Sequence, residues 1–151
     1  MDELCRELVE GLFDAFNRRD SEGIVALCHE EMEFFAVTAE QVGRTDPYVG
    51  PEGLRAYLDD VAAVWEELLI TPNEVEQSEQ SLLVQGRVYL RSRALGIRDM
   101  PAAWIWDLRG ERFARGRVFA DPEEAVRRFN REAGPERRLD PGGSRSTTRL
   151  R

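Results

Sequence analysis

The sequence predicts an α+β domain in which an antiparallel sheet carries helices packed on one face. Three observations lead there. Apolar residues in the first seventy positions recur every three or four residues, as on helix faces. From Leu82 onward they alternate, as on strands with one dry face. The turn Arg109-Gly110-Glu111 then divides two such alternating runs, as in a hairpin. A length of 151 residues, with 42% hydrophobic and 33% charged side chains, is one domain's worth around one core.

Each element has its own warrant. Leu4, Leu8, Leu12 and Phe16, with Val9 and Phe13 beside them, form one stripe of a first helix. Asp20 caps a shorter second helix that carries Ile24, Leu27 and Cys28 and ends at His29. A short strand is expected at 32–37 and a loop at 38–50, where Gly43, Pro47 and Gly50 fall. Pro51 opens a long third helix whose buried face runs Leu54, Tyr57, Leu58, Val61, Val64, Trp65 and Leu68. Strands are expected at 82–90, 101–108 and 112–120. On the last, Ala114, Gly116, Val118 and Ala120 oppose Arg115, Arg117 and Phe119. Asp121-Pro122-Glu123-Glu124 is a helix start, followed by Ala125, Val126 and Phe129 on the helix face.

Charge narrows the partners. Asp and Glu total 29 against 21 basic residues, a net −8, which argues against nucleic acid and anionic membrane as partners. No apolar run reaches the length of a membrane span. Every basic residue is arginine, so lysine Schiff-base chemistry is excluded. Cys5 and Cys28 fall on apolar stripes and read as buried thiols of a cytoplasmic protein. No cluster of His, Cys, Asp and Glu has ligand spacing, so neither a metal nor a cofactor is expected. The domain is expected to end at residue 133. Residues 134–151 hold five arginines, two acids and only two leucines, and read as a disordered basic tail. That leaves 16 basic against 27 acidic residues in 1–133, or −11.

The run from Asp20 to Met32, the stretch Tyr48-Val-Gly-Pro-Glu-Gly-Leu-Arg-Ala-Tyr57, and the closing segments Trp106–Arg112 and Arg115–Asp121 resemble the nuclear transport factor 2-like superfamily. Within it they are most similar to the SnoaL-like group, across roughly residues 3–130. The resemblance implies a cone-shaped α+β barrel, a pocket at the wide end, and a homodimer through the outer sheet face. With the strand faces above, it implies a pocket walled by Phe16, Phe34, Ala36, Tyr48, Tyr57 and Val61. Trp65, Val88, Trp104, Trp106, Gly116 and Val118 complete that wall. Phe35, Tyr89, Ile105, Arg115, Arg117 and Phe119 fall on the outer face; aromatics interleaved with arginines suit a protein interface.

The resemblance also says where proton-handling groups would stand. The ketosteroid isomerases' helix tyrosine falls on Leu12, their general base on Ala36, and their protonated aspartate on Trp104. The cyclases' aspartate and histidine fall on Val118 and Gly116. None of these can move a proton, and the epoxide hydrolases' aspartate–arginine–aspartate set is missing from the inward faces. Three readings follow. The first is a binder of a small apolar molecule, without acid–base chemistry. The second is a cyclase, isomerase or epoxide hydrolase using other polar groups, such as Arg44, Tyr48 or Asp60, with Asp46 nearby. The third is a ligand-free dimeric interaction module whose tryptophans fill the cone. Convergent polar groups in the cavity would mark the enzyme. A void no larger than one or two waters would mark the third reading.

Overall fold

The computed structural model describes residues 3–36, 46–133 and 145–150. Helix α1, Glu3–Asn17, buries Cys5, Leu8, Val9, Leu12, Phe13, Ala15 and Phe16 along one stripe, as its spacing dictates. Arg19 turns the chain in the left-handed region (φ 55°) and donates to the carbonyls of Trp65 and Glu66. Helix α2, Ser21–Leu27, is capped by Asp20, whose Oδ1 accepts from the Gly23 N–H at 3.0 Å.

The second helix is shorter than expected. Cys28 is already extended, and strand β1 covers Cys28–Phe35, so Cys28 and His29 belong to the sheet. An irregular register between Cys28 and Glu33 lets the strand begin early; from Met32 the burial alternates. Residues 37–45 lie outside the described residues, and with them Val37 and Arg44. Strand β2, Tyr48–Val49, leads into helix α3, Gly50–Val64, with Pro51 in its first turn.

Helix α3 stops at Val64, four residues short of the expected end. Trp65 is extended, and Glu67–Ser78 forms strand β3. Leu68 fits a helical stripe after Trp65 but also alternates with Ile70, and the second periodicity wins. Pro72 disguises the strand further; it sits where the β3–β4 register shifts, a place where a missing N–H is tolerated. Strands β4, Ser81–Ser92, β5, Gly96–Arg109, and β6, Arg112–Phe119, complete a meander. The expected turn falls at Gly110 and Glu111, Gly110 taking the positive φ (65°).

The sheet order is β2-β1-β6-β5-β4-β3-β7. Its pairings are antiparallel except one: β1 runs parallel to β6, with Phe34 opposite Gly116. No hairpin can join strands so distant in sequence, so the direction was free to differ from the meander. The inner face packs against α1 and α3 around Leu12, Phe13, Phe34, Trp104 and Trp106.

Helix α4, Pro122–Ala133, begins where Asp121 caps it, Oδ1 accepting from the Glu123 N–H at 3.0 Å. It lies on the opposite face from the other helices. There Ala125 and Phe129 bury Leu83, Ala103 and Ile105, with Phe119 and Val126 packed alongside. The helices therefore do not share one face. The tail also departs from expectation. Arg145–Arg149 forms strand β7, antiparallel to β3, and Leu150 is buried, at 7% exposure, in the main core. One apolar residue and an available strand edge order a segment whose composition alone argues for disorder. Residues 134–144 lie outside the described residues.

Candidate functional site

Alternation along β4, β5 and β6 sends Val88, Trp104, Trp106 and Val118 inward, and the β5–β6 register sets Trp104 against Val118 and Trp106 against Gly116. Helix α1 contributes Phe16, α3 contributes Tyr57, and β1 contributes Phe34. With Leu68 and Ile70 of β3 these side chains enclose a void of about 30 Å³. That is room for about two water molecules.

Aromatic rings account for the small volume. Phe34 and Trp106 stack at 5.7 Å with an interplanar angle of 3°, and Tyr57 stands edge-on to Phe34 at 4.9 Å. Phe13 closes against Trp104 at 4.9 Å, and Phe16 meets Tyr57 edge-on at 5.8 Å. Such pairs contribute about 0.5–1.5 kcal/mol each beyond their buried area. Gly116 makes the stack possible: a Cβ there would come within 2.6 Å of the Trp106 Cε3 and 3.0 Å of the Phe34 Cδ1.

The structure brings Phe16, Phe34, Tyr57, Val88, Trp104, Trp106 and Val118 together on the wall. Tyr48, Val61, Trp65 and Gly116 are buried around it without lining it, and Ala36 is half-buried against the same core. Leu68 and Ile70 escape the reading of the wall, Leu68 because it fits the stripe of the third helix and Ile70 because it lies just past that helix's expected end; their alternation across Leu69 is the available signal. Asn17 escapes it too. Its side-chain amide grips the Ile70 backbone from both sides, donating to the carbonyl at 2.8 Å and accepting from the N–H at 2.7 Å.

The polar candidates do not converge on the void. Tyr48 Oη donates to Asp60 Oδ2 at 2.7 Å, tying β2 to α3 away from the wall. Asp46 is exposed and Arg44 lies outside the described residues. Glu33 points outward, across from Arg115. His29 sits on β1, its Nδ1 accepting from the Glu31 N–H at 3.1 Å and its Nε2 3.4 Å from Arg109. Burial pushes the Cys28 thiol up to about 12, so it is protonated at neutral pH and a poor nucleophile. Among the described residues no group of three His, Cys, Asp or Glu could hold a metal ion, and no helix is long and apolar enough to cross a membrane. Proton abstraction needs a base within hydrogen-bonding reach and a donor for the oxyanion. The wall supplies no carboxylate and no imidazole.

The expected interface is broken up by α4. Ile105 is wholly buried beneath it, and Phe119 is half-buried in the same cluster, with the Arg128 guanidinium 5.7 Å from its ring. Arg117 is buried rather than displayed. It holds Glu132 by two hydrogen bonds of 2.8 and 2.9 Å and lies 3.6 Å from Asp107. That hydrogen bonding, chiefly, holds the Glu132 carboxyl below the usual carboxylate range. Phe35 and Tyr89 are half-buried, and the Arg115 guanidinium stands 5.3 Å from the Phe35 ring. A single outward patch of six residues is therefore not what the chain presents; the apolar helix face found an intramolecular partner first.

The chain has relatives of matching shape. The family model for the SnoaL-like domain matches residues 9–116. No curated protein matches the sequence. A nuclear transport factor 2-like protein of unknown function from Burkholderia pseudomallei shares 19% identity at a TM-score of 0.71, covering 84% of this chain and 97% of its own. TerC, crystallised with polyporic acid, shares 19% identity at a TM-score of 0.71, over 83% and 97%. A protein with a ketosteroid isomerase-like fold from Catenulispora acidiphila, in complex with trimethylamine, shares 13% identity at a TM-score of 0.65, over 75% and 84%. At such identities the likeness shows the fold.

Proposed function

From the SnoaL-like domain family, to which this chain belongs, we propose a non-catalytic member that works through its outer surface, its cone filled by its own aromatic side chains. The void carries this reading. Ligand pockets commonly enclose about 300–1,000 Å³, whereas the cone holds about 30 Å³. On the outer side of the sheet, Gln85, Arg87, Pro101 and Pro122 help to line an open groove of about 330 Å³. The positions at which the family resemblance places proton-handling groups are Leu12, Ala36, Trp104, Gly116 and Val118, which lends the reading further support.

Self-association belongs to the same proposal, moved to the part of the outer face that α4 leaves open. There Leu69 is paired with Tyr89, and Ile97 is 65% exposed on the neighbouring strand. The cytoplasmic setting inferred from two buried cysteines is likewise part of it.

A second reading has one observation in its favour: every wall residue is apolar or aromatic. A small apolar molecule could then enter by displacing a ring, and TerC, of similar fold, was crystallised with polyporic acid. Thermal melting with saturating benzene separates the two. The filled cone predicts no shift for the wild-type chain and a rise in Tm for Trp104→Ala, or for Trp104→Leu if the larger cut prevents folding. A benzene-induced rise in the wild-type Tm would decide for the ligand.

A further inference from the structure

The edge of β3 is closed in an unusual way. Along its other side β3 pairs with β4 through a hairpin, from Glu67 to Ser78. Its outer edge is divided by the chain itself. Asn17 occupies both backbone groups of Ile70, and Pro72 has no N–H to offer. What remains for a strand is Asn73–Ser78, and β7 covers it. Glu74 stands opposite Arg149, Val75 opposite Thr148, Glu76 opposite Thr147, and Ser78 opposite Arg145. The Leu150 N–H adds a bond of 2.6 Å to the Asn73 carbonyl, and Leu150 enters the core beside that edge.

No hairpin joins β7 to β3. The strand arrives after α4, from far along the sequence, so no local turn sets its pairing with β3. Its chemistry is also distinct. Residues 145–151 carry three arginines and no acid, against a body of −11 and an edge bearing Glu74 and Glu76.

We propose that the Asn73–Ser78 edge of β3 is a docking site for an extended basic segment of a partner protein, and that the chain's own tail holds it until displaced. The proposal rests on the reading of this chain as an interaction module. The recognised pattern is the one the tail displays: arginines four residues apart followed directly by leucine. Main-chain pairing supplies affinity, as in other strand additions, while the leucine anchor and the acidic edge select the sequence. Because the tail is part of the same chain it competes in cis, so a partner succeeds only by outcompeting it or by meeting a loosened tail.

Fluorescence anisotropy of a labelled peptide with the sequence of residues 144–151 tests this on the full-length chain. A double variant, Thr148→Pro with Leu150→Asp, cannot keep its own tail on the edge. The expected result is saturable binding to that variant at least tenfold tighter than to wild type, weakening with salt. A peptide carrying Asp in place of its leucine should lose at least tenfold. If the double variant does not melt cooperatively, Arg149→Glu, which keeps the anchor, replaces it. No binding to a folded variant, or equal binding to variant and wild type, overturns the proposal. So does a wild-type dimer that the tail substitutions convert to monomer, because a second copy would then be the occupant. None of these outcomes depends on benzene uptake, so this proposal and the filled-cone reading fail separately.

Discussion

Replacing Gly116 with alanine would push a methyl group into the Trp106 indole and against the Phe34 ring, and neither can retreat in a stack this close. Overpacking of this kind costs about 1–3 kcal/mol. Urea unfolding of Gly116→Ala should show a loss in that range with an unchanged m-value. A second residue-scale outcome concerns Glu132, held by Arg117 from β6, with Arg115 and Arg128 adding attraction and burial opposing it. Its folded value lies below its unfolded one. The stabilisation is therefore fully present above the ordinary carboxylate range and is lost as pH falls through the lowered value. Urea midpoints measured from neutral to acid pH should fall more steeply for wild type than for Glu132→Gln. At this scale the strand faces were legible from Arg115 onward, with Gly116 and Val118 inward and Arg115 and Arg117 outward, whereas a register shift sends Phe113 rather than Ala114 into the core. The ion pair that buries Arg117 was not legible, because its partner stands on a helix whose position alternation does not specify.

Removing residues 145–151 strips the β3 edge of its five-residue partner and the core of Leu150. Burial of a leucine side chain is worth about 1.5–3 kcal/mol, and each kcal/mol shifts Tm by about 2–4 °C in a chain of this size. The truncated protein should therefore melt several degrees lower; an unchanged Tm would show that β7 contributes nothing to stability. Elements with strong local signals were legible, among them α1, the caps at Asp20 and Asp121, and the hairpin at Gly110. Those that depend on a distant partner were not. Strand β3 is masked by Pro72 and a helix-compatible Leu68, and β7 is a polar segment made regular only by the edge it meets. Capping chemistry states where α4 begins and is silent about which sheet face it covers.

At the scale of the whole molecule, the α+β class could be read from the order of elements and the family from the resemblance of its motifs, and the family match over residues 9–116 agrees, whereas the placement of α4 on the opposite sheet face could not be read. The volume inside the cone could not. It depends on how Phe34, Tyr57 and Trp106 tilt against one another, and periodicity specifies which side a ring occupies, not its angle. The parallel seam between β1 and β6 has a consequence for biosynthesis. A ribosome delivers Met32 and Phe34 about eighty residues before Gly116, so the β6 side of the opening strand stays unpaired over that interval, with only the rings of α1 and α3 to pack against Phe34. Closure of the cone is thereby a late step, set by how soon the final hairpin leaves the exit tunnel.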